Sequence, residues 1–171
     1  VAMHPHKALN YNRSAVYKSM GFDEFLSREN WDSAYKGKIR KFVSDQSCYD
    51  YVKELYSQKE DGEKLFTFLV TMQNHSPYSN QKKYQSTVEL DLGQDYPETE
   101  QYLSLIKESD AAFGDLADYF RDVEEPTMIV MFGDHLPNLQ DGFYDEIAGQ
   151  CRTDEISARG FYDSLCPMDE L

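Results

Sequence analysis

The sequence predicts an α/β fold with a mostly parallel central sheet flanked by helices. Three stretches carry the prediction. "KLFTFLVTMQNH" is almost continuously apolar and β-prone over 65–72, the pattern of a strand covered on both faces. "DYPETEQYLSLIKESDAAFGDLADYFRDV" has the start signals and apolar spacing of a long helix over 97–122. "TMIVMFG", 127–133, reads as a second buried strand. Strand, helix, strand in that order is a β-α-β unit, with a right-handed crossover and parallel strands.

In the long helix, Asp95 is placed to cap, Pro97 suits the first turn and Glu98 completes a capping box. Leu103, Ile106, Phe113, Leu116 and Phe120 form the expected buried stripe. Asp110 falls on or near that stripe, where an acid is either hydrogen-bonded within the core or orients a nearby site. Upstream, the first residues are polar and irregular, with a short helical turn near 14–20 that Gly21 stops. Residues 28–44 are charged and aperiodic, as in a surface loop. "SCYDYVKELYSQK" turns helical: Ser47 and Asp50 resemble a capping box, and Cys48, Tyr51, Val52 and Leu55 follow at 3–4 spacing. Residues 76–98 are a long polar excursion, of the kind that is often functional or an insertion. "GFYDEIAGQ" carries helical fragments, and 151–171 forms a tail with no predicted structure.

The length, 171 residues, suits one domain with a real core. A net charge of −14 argues against a nucleic-acid partner and gives no reason for unaided attraction to anionic lipid. Simple solubility accounts for such a charge. A negative protein that handles phosphate or sulfate must create local positive potential, most simply with a metal ion. No run of 18 apolar residues is present, and "VAMHPHKALN" lacks the features of a signal peptide. Both ends are expected to be cuts through a larger protein. Cys48, Cys151 and Cys166 fit neither a disulfide framework nor a zinc cluster, and buried or free thiols are expected.

In open α/β sheets ligands bind beyond the carboxyl ends of the strands. His75 follows the first predicted strand, and Asp134-His135 follow the second, so one rim is expected to receive all three. Carboxylate and imidazole suit Zn²⁺ or Mn²⁺. Gly133 permits a turn that brings both to one ion. The plainer alternative is that Asp134 caps a turn and His135 lies in solvent. His4 and His6 share a short segment with Arg13, whose fork of donors suits an anionic oxygen group. Histidine and arginine near a metal point to a phosphoryl or sulfuryl substrate.

"MHPHKALNYNR", "VYKSMGFDEFL", "FLVTMQNHSPY", "YLSLIKESDAAFGDLADYF" and "IVMFGDHLPN", in this order over about 1–147, resemble the sulfatase-type domain of lipoteichoic acid synthase-like proteins, in the alkaline phosphatase superfamily. The resemblance implies that Asp134 and His135 bind a catalytic divalent ion, Mn²⁺ first, with Mg²⁺ or Zn²⁺ as alternatives. It implies that His75 lies near the substrate phosphate and is catalytic, and that His4, Tyr11 and Arg13 contact the substrate head group. Tyr11 stands where many members have Trp. The family's nucleophile, a Thr opening a helix, and a second acidic metal ligand lie upstream of these motifs. Thr67 and Thr71 do not match that motif.

Residues 1–150 are accordingly expected to be the C-terminal portion of a catalytic domain, holding half of the metal site and inactive in isolation. The implied whole is an envelope phosphoglycerol transferase, anchored at the outer face of a bacterial cytoplasmic membrane. Its partners would be a phosphoglycerol lipid or polyanionic envelope substrate and the N-terminal part of the same protein. Alternatives are a sulfatase or phosphodiesterase of the same superfamily, and a catalytically inactive module that binds an envelope polyanion.

Overall fold

The computed structural model describes residues 1–79 and 84–150. Its elements are β1 (Ala2–His4), α1 (Arg13–Ser19), β2 (Phe25–Ser27), β3 (Lys38–Ile39), β4 (Phe42–Val43), α2 (Asp45–Gln58), β5 (Phe68–Leu69), α3 (Pro97–Arg121) and α4 (Phe143–Gln150). The expected α/β class holds: a parallel three-stranded sheet, ordered β2-β1-β5, is flanked by helices. Strands β3 and β4 form a separate antiparallel hairpin.

The strand at the sheet's centre is one the sequence hid. The N-terminal stretch, read as irregular, contains β1, which pairs Ala2, Met3 and His4 with Phe25, Leu26 and Ser27. On its other side Ala2 and Met3 pair with Phe68 and Leu69. Three residues are too short for a period-2 pattern to stand out. Side chains nevertheless alternate across the sheet. Met3 and Leu26 form a core with Cys48 and Tyr51 of α2, against which Leu69 packs. On the opposite face the buried Tyr17 of α1 packs edge-on against Phe25 and Phe68, with ring centroids 4.8 and 6.1 Å away.

Two strand expectations are corrected. Residues 65–72 contribute only Phe68–Leu69 to the sheet, and Phe66 is largely exposed. Residues 127–133 form no strand: Met128, Ile129, Val130, Met131 and Phe132 are all exposed, and none pairs with the sheet. An apolar β-prone run specifies a chain able to enter a sheet, but burial needs a neighbour, and none of the described residues supplies one. The parallel pairs are β1–β2 and β1–β5, not 65–72 with 127–133.

The helices lie close to expectation. Gly21 ends the first helix region with a φ of +85°, a left-handed conformation that glycine adopts without steric cost. The cap of helix α2 lies three residues before the predicted Ser47. Ser44 is the cap, its hydroxyl accepting from Ser47 N–H at 3.2 Å. Pro97 opens α3 as expected, but Tyr96, not Asp95, is the residue before it, and it makes no side-chain cap.

The buried stripe of α3 is more polar than predicted. Leu105, Ala112 and Leu116 are buried together with Thr99, Gln101, Ser104 and Ser109, whereas Ile106 and Asp110 are exposed. Tyr49 of α2 packs against Ala112 and Leu116. Ser109 occupies the buried polar position expected of Asp110. Cys48 is a buried free thiol, as expected. The expectations for Cys151, Cys166 and the 151–171 tail lie outside the described residues.

Candidate active site

Each parallel strand hands the chain to the same edge of the sheet. Beyond β1 come Pro5 and His6, beyond β2 come Arg28 and Trp31, and beyond β5 comes the 73–77 loop with His75. This is the edge at which α/β sheets bind ligands; of the three residues expected there, His75 reaches it.

His4 is fully buried at the end of β1, where its Nδ1–H donates to Val70 O at 2.8 Å. That fixes the tautomer and leaves Nε2 as an acceptor, buried and without a partner among the described residues. Burial lowers its pKa to about 4, against the pull of the Val70 hydrogen bond, and the Arg13 charge lowers it further. His6 sits 6.3 Å away, ring to ring. Its Nδ1 accepts from the Asn10 amide at 3.1 Å, so its proton rests on Nε2. Desolvation lowers the His6 pKa, and the charges of Arg28, Arg13, Lys7 and His75 add to the shift. Two neutral imidazoles result: His4 offers an acceptor and His6 a donor.

Tyr11 and Asn12 both have left-handed backbones, with φ of 55° and 53°. For a bulky residue such as Tyr this is a true outlier, and such strain gathers at functional sites. The strained turn leaves the Tyr11 ring exposed, with the Arg13 guanidinium 4.9 Å from its centre. Arg13 thereby keeps an aromatic platform although the expected Trp is absent.

His75 is exposed on a tightly held loop. Its Nδ1–H donates to Ser76 O at 2.8 Å, leaving Nε2 free to meet a ligand. Arg40 holds the loop from outside, donating to Gln73 O, His75 O and Pro77 O at 2.8, 2.8 and 2.7 Å. Arg40 takes a φ of 56° in the turn between β3 and β4, which aims its side chain at the loop. From inside, the fully buried Gln73 side chain accepts from Asp45 N–H and donates to Leu105 O and Ser109 Oγ. Ser109 Oγ in turn donates to Asp45 Oδ2 at 2.6 Å and accepts from Asn74 at 2.7 Å. Tyr78 O–H closes the turn on Asn74 O. Arg40, Gln73, Asp45 and Ser109 are positioning residues that sequence reasoning missed. The clearest available signal was polar side chains at stripe positions of α2 and α3.

Asp134 and His135 lie elsewhere. They follow the unpaired 127–133 segment, both side chains are largely exposed, and no described contact joins them to His4, His6 or His75. Gly133 does not use its conformational freedom: its φ is not left-handed, and a Cβ there meets nothing within 4 Å. The two side chains approach each other. His135 Nε2 and Asp134 Oδ2 are 3.6 Å apart, a separation two ligands on one ion can span at about 2.0–2.2 Å each. His135 Nδ1–H donates to Leu136 O at 2.8 Å, leaving Nε2 on the side of Asp134. Among the described residues no third acid, His or Cys joins them.

The sequence profile of the sulfatase family matches residues 1–159. The chain belongs to the sulfatase family. Its fold is shared with solved members of the alkaline phosphatase superfamily. The phosphoglycerol transferase GacH of Streptococcus pyogenes, solved with sn-glycerol-1-phosphate, is 28% identical with a TM-score of 0.64 over 81% of this chain and 37% of its own. The lipoteichoic acid synthase LtaP of Listeria monocytogenes is 26% identical with a TM-score of 0.55 over 71% of this chain and 29% of its own. A protein of Rhizobium meliloti named for cyclic beta-1,2-glucan modification is 38% identical over 81% of this chain and 21% of its own length. This sulfatase-family chain thus spans about a fifth of that relative. No described helix is long and apolar enough to cross a membrane.

Proposed function

We propose that this chain is part of a metal-dependent phosphoglycerol transferase that acts on a glycan or lipid of the bacterial cell envelope. The observation that carries the reading is the rim: neutral His4 and His6, the cation Arg13 and the displayed His75 meet at one sheet edge of a sulfatase-family fold. The likeness to GacH with its bound glycerol phosphate supports the phosphoglycerol head group. The glucan and lipoteichoic acid relatives support an envelope acceptor outside the cytoplasm, with membrane attachment through another part of the protein.

In this reading Arg13 binds two phosphate oxygens through its guanidinium fork. His6 Nε2–H donates to a third, with the fully buried His4 packed beside it. His75 Nε2 moves the proton at the entering or leaving oxygen. Asp134 and His135 would hold the divalent ion, Mn²⁺ before Mg²⁺ or Zn²⁺. Bound there, the ion would supply positive charge toward a phosphoryl group; the described residues do not bring it to the His75 rim. Neither threonine near the rim suits a nucleophilic role: Thr67 Oγ1 is buried, and Thr71 hydrogen-bonds the Asp45 carboxylate. In this reading the nucleophile and a further metal ligand come from other residues of the protein.

The test is turnover by the full-length protein. With Mn²⁺, a phosphoglycerol lipid donor and a glucan acceptor, phosphorus NMR is expected to show a new phosphodiester, abolished by a chelator and restored by the ion. Replacing His75 with Ala is expected to lower turnover at least tenfold while leaving the fold intact. Release of sulfate from a sulfate ester, with no phosphorus product, would sink the transferase reading in favour of a sulfatase. Binding without any turnover would favour the inactive polyanion-binding module.

A further inference from the structure

A cavity of about 320 Å³ opens at the ligand edge of the sheet, beside the histidines rather than between them. Its walls carry four cations, Arg28, Lys36, Lys38 and Lys41, and no acid. The chain has 31 acidic residues against 17 basic ones, so this is not the average surface. None of the four cations is in an ion pair among the described residues. Glu29, next to Arg28, is engaged by Ala8 N–H and Ser27 Oγ. The floor is apolar and firm: Trp31, Phe42 and Val43 are buried, and the Trp31 indole N–H is already used on Tyr35 O at 2.8 Å. Four cations outside any described ion pair, over a carbon-lined floor, suit an oxyanion carried on a small carbon skeleton.

The cavity is joined to the candidate active site by two residues. His6 lines it and also neighbours His4, 6.3 Å away. Phe42 lines it and lies 5.8 Å, ring to ring, from His75. The charges of Arg28 and Arg13 both lower the His6 pKa.

We propose that this cavity is a second oxyanion subsite, which holds a neighbouring phosphate of the same polyanionic ligand whose reacting ester lies at His75. The identity of that ligand rests on the phosphoester reading above; the subsite itself rests on the cavity and its cations. A ligand with several phosphates in series fills both places, while a single phosphoglycerol fills one. The second contact is then intramolecular and raises affinity through effective concentration.

Calorimetry on the full-length protein tests this with three probes: sn-glycerol 1-phosphate, a synthetic glycerol phosphate trimer and inorganic pyrophosphate. The trimer is expected to bind at least tenfold more tightly than the monomer, with a gain that shrinks as salt rises. Combined Lys36→Gln, Lys38→Gln and Lys41→Gln substitutions are expected to remove that gain and leave monomer affinity within twofold. All three lysines are exposed; the single Lys38→Glu variant repeats the test with one change and is expected to lose at least threefold. A gain that survives these changes, or no gain in the unaltered protein, overturns the proposal. Pyrophosphate binding at the lysines as tightly as the trimer also overturns it, in favour of a free-anion site. Absence of turnover with the trimer still held by the lysines sinks the transferase reading alone and leaves the subsite standing.

Discussion

Replacing Arg40 with Ala is expected to lower stability by about 3 kcal/mol and turnover by more than tenfold, although Arg40 touches no proposed substrate atom. Its guanidinium donates to three carbonyls, those of Gln73, His75 and Pro77, at 2.7 to 2.8 Å. A hydrogen bond from a charged donor contributes about 1.5–3 kcal/mol net, and three on one fork overlap rather than add fully. At about 2–4 °C per kcal/mol for a chain of this size, the midpoint should fall by roughly 6–12 °C. The ring faces of Phe42 and Tyr78, 5.7 and 5.6 Å from the guanidinium, lose their cation as well.

Three substitutions separate the causes. Arg40→Ala keeps the left-handed backbone and its strain. Arg40→Gly relieves that strain but also removes the fork, so a small recovery measures the backbone and not the clamp. Arg40→Lys restores the charge but reaches one carbonyl, and is expected to recover less than half of the loss. The decisive readout is amide exchange over residues 73–78. A loop released in Arg40→Ala exchanges at least tenfold faster, whereas unchanged protection there would refute the positioning role whatever the melting point does.

Arg40 also shows where the sequence was silent. It lies in 28–44, a stretch that reads as surface loop because its charges have no period. Yet this stretch contains the buried Trp31, the β3–β4 hairpin, the clamp on the His75 loop and the cation-lined cavity. The clamp depends on contacts across more than 30 residues of chain, such as Arg40 to Gln73, and no local pattern encodes it. The long helix was legible because its evidence is local: Pro97 at the first position and apolar residues at 3–4 spacing. Its packing was not, because Ser104 and Ser109 are buried by what they bond to rather than by what they are. The site divides in the same way. His75 reaches the expected rim because strand order and loop length put it there. Asp134-His135 do not reach it, because the 127–133 segment that carries them pairs with no strand of the sheet.

The second large effect concerns acid. His4 is fully buried with a pKa lowered to about 4, while the unfolded chain titrates at the ordinary 6.5. Between these values the unfolded state binds a proton that the folded state refuses, so stability is complete above pH 6.5 and is lost as pH falls toward 4. Linkage puts the loss at about 2 kcal/mol at pH 5 and roughly 3 kcal/mol near pH 4. His6, with its pKa lowered by desolvation, acts in the same direction. Asp45 acts in the opposite direction: desolvation raises its pKa, so its burial penalty eases as pH falls through that raised value. The His4→Asn variant isolates the histidine, because the amide keeps a donor for Val70 O and removes the titration. Urea unfolding at pH 7.5 and pH 5.0 gives a stability loss for each protein, and subtracting one from the other cancels His6 and Asp45. A difference of about 2 kcal/mol is expected, with the variant less stable at pH 7.5 but flatter in its response. A difference below about 0.5 kcal/mol would mean that His4 accepts its proton within the fold. His4 would then sit beside the site as a cation, not as the neutral imidazole that its burial favours.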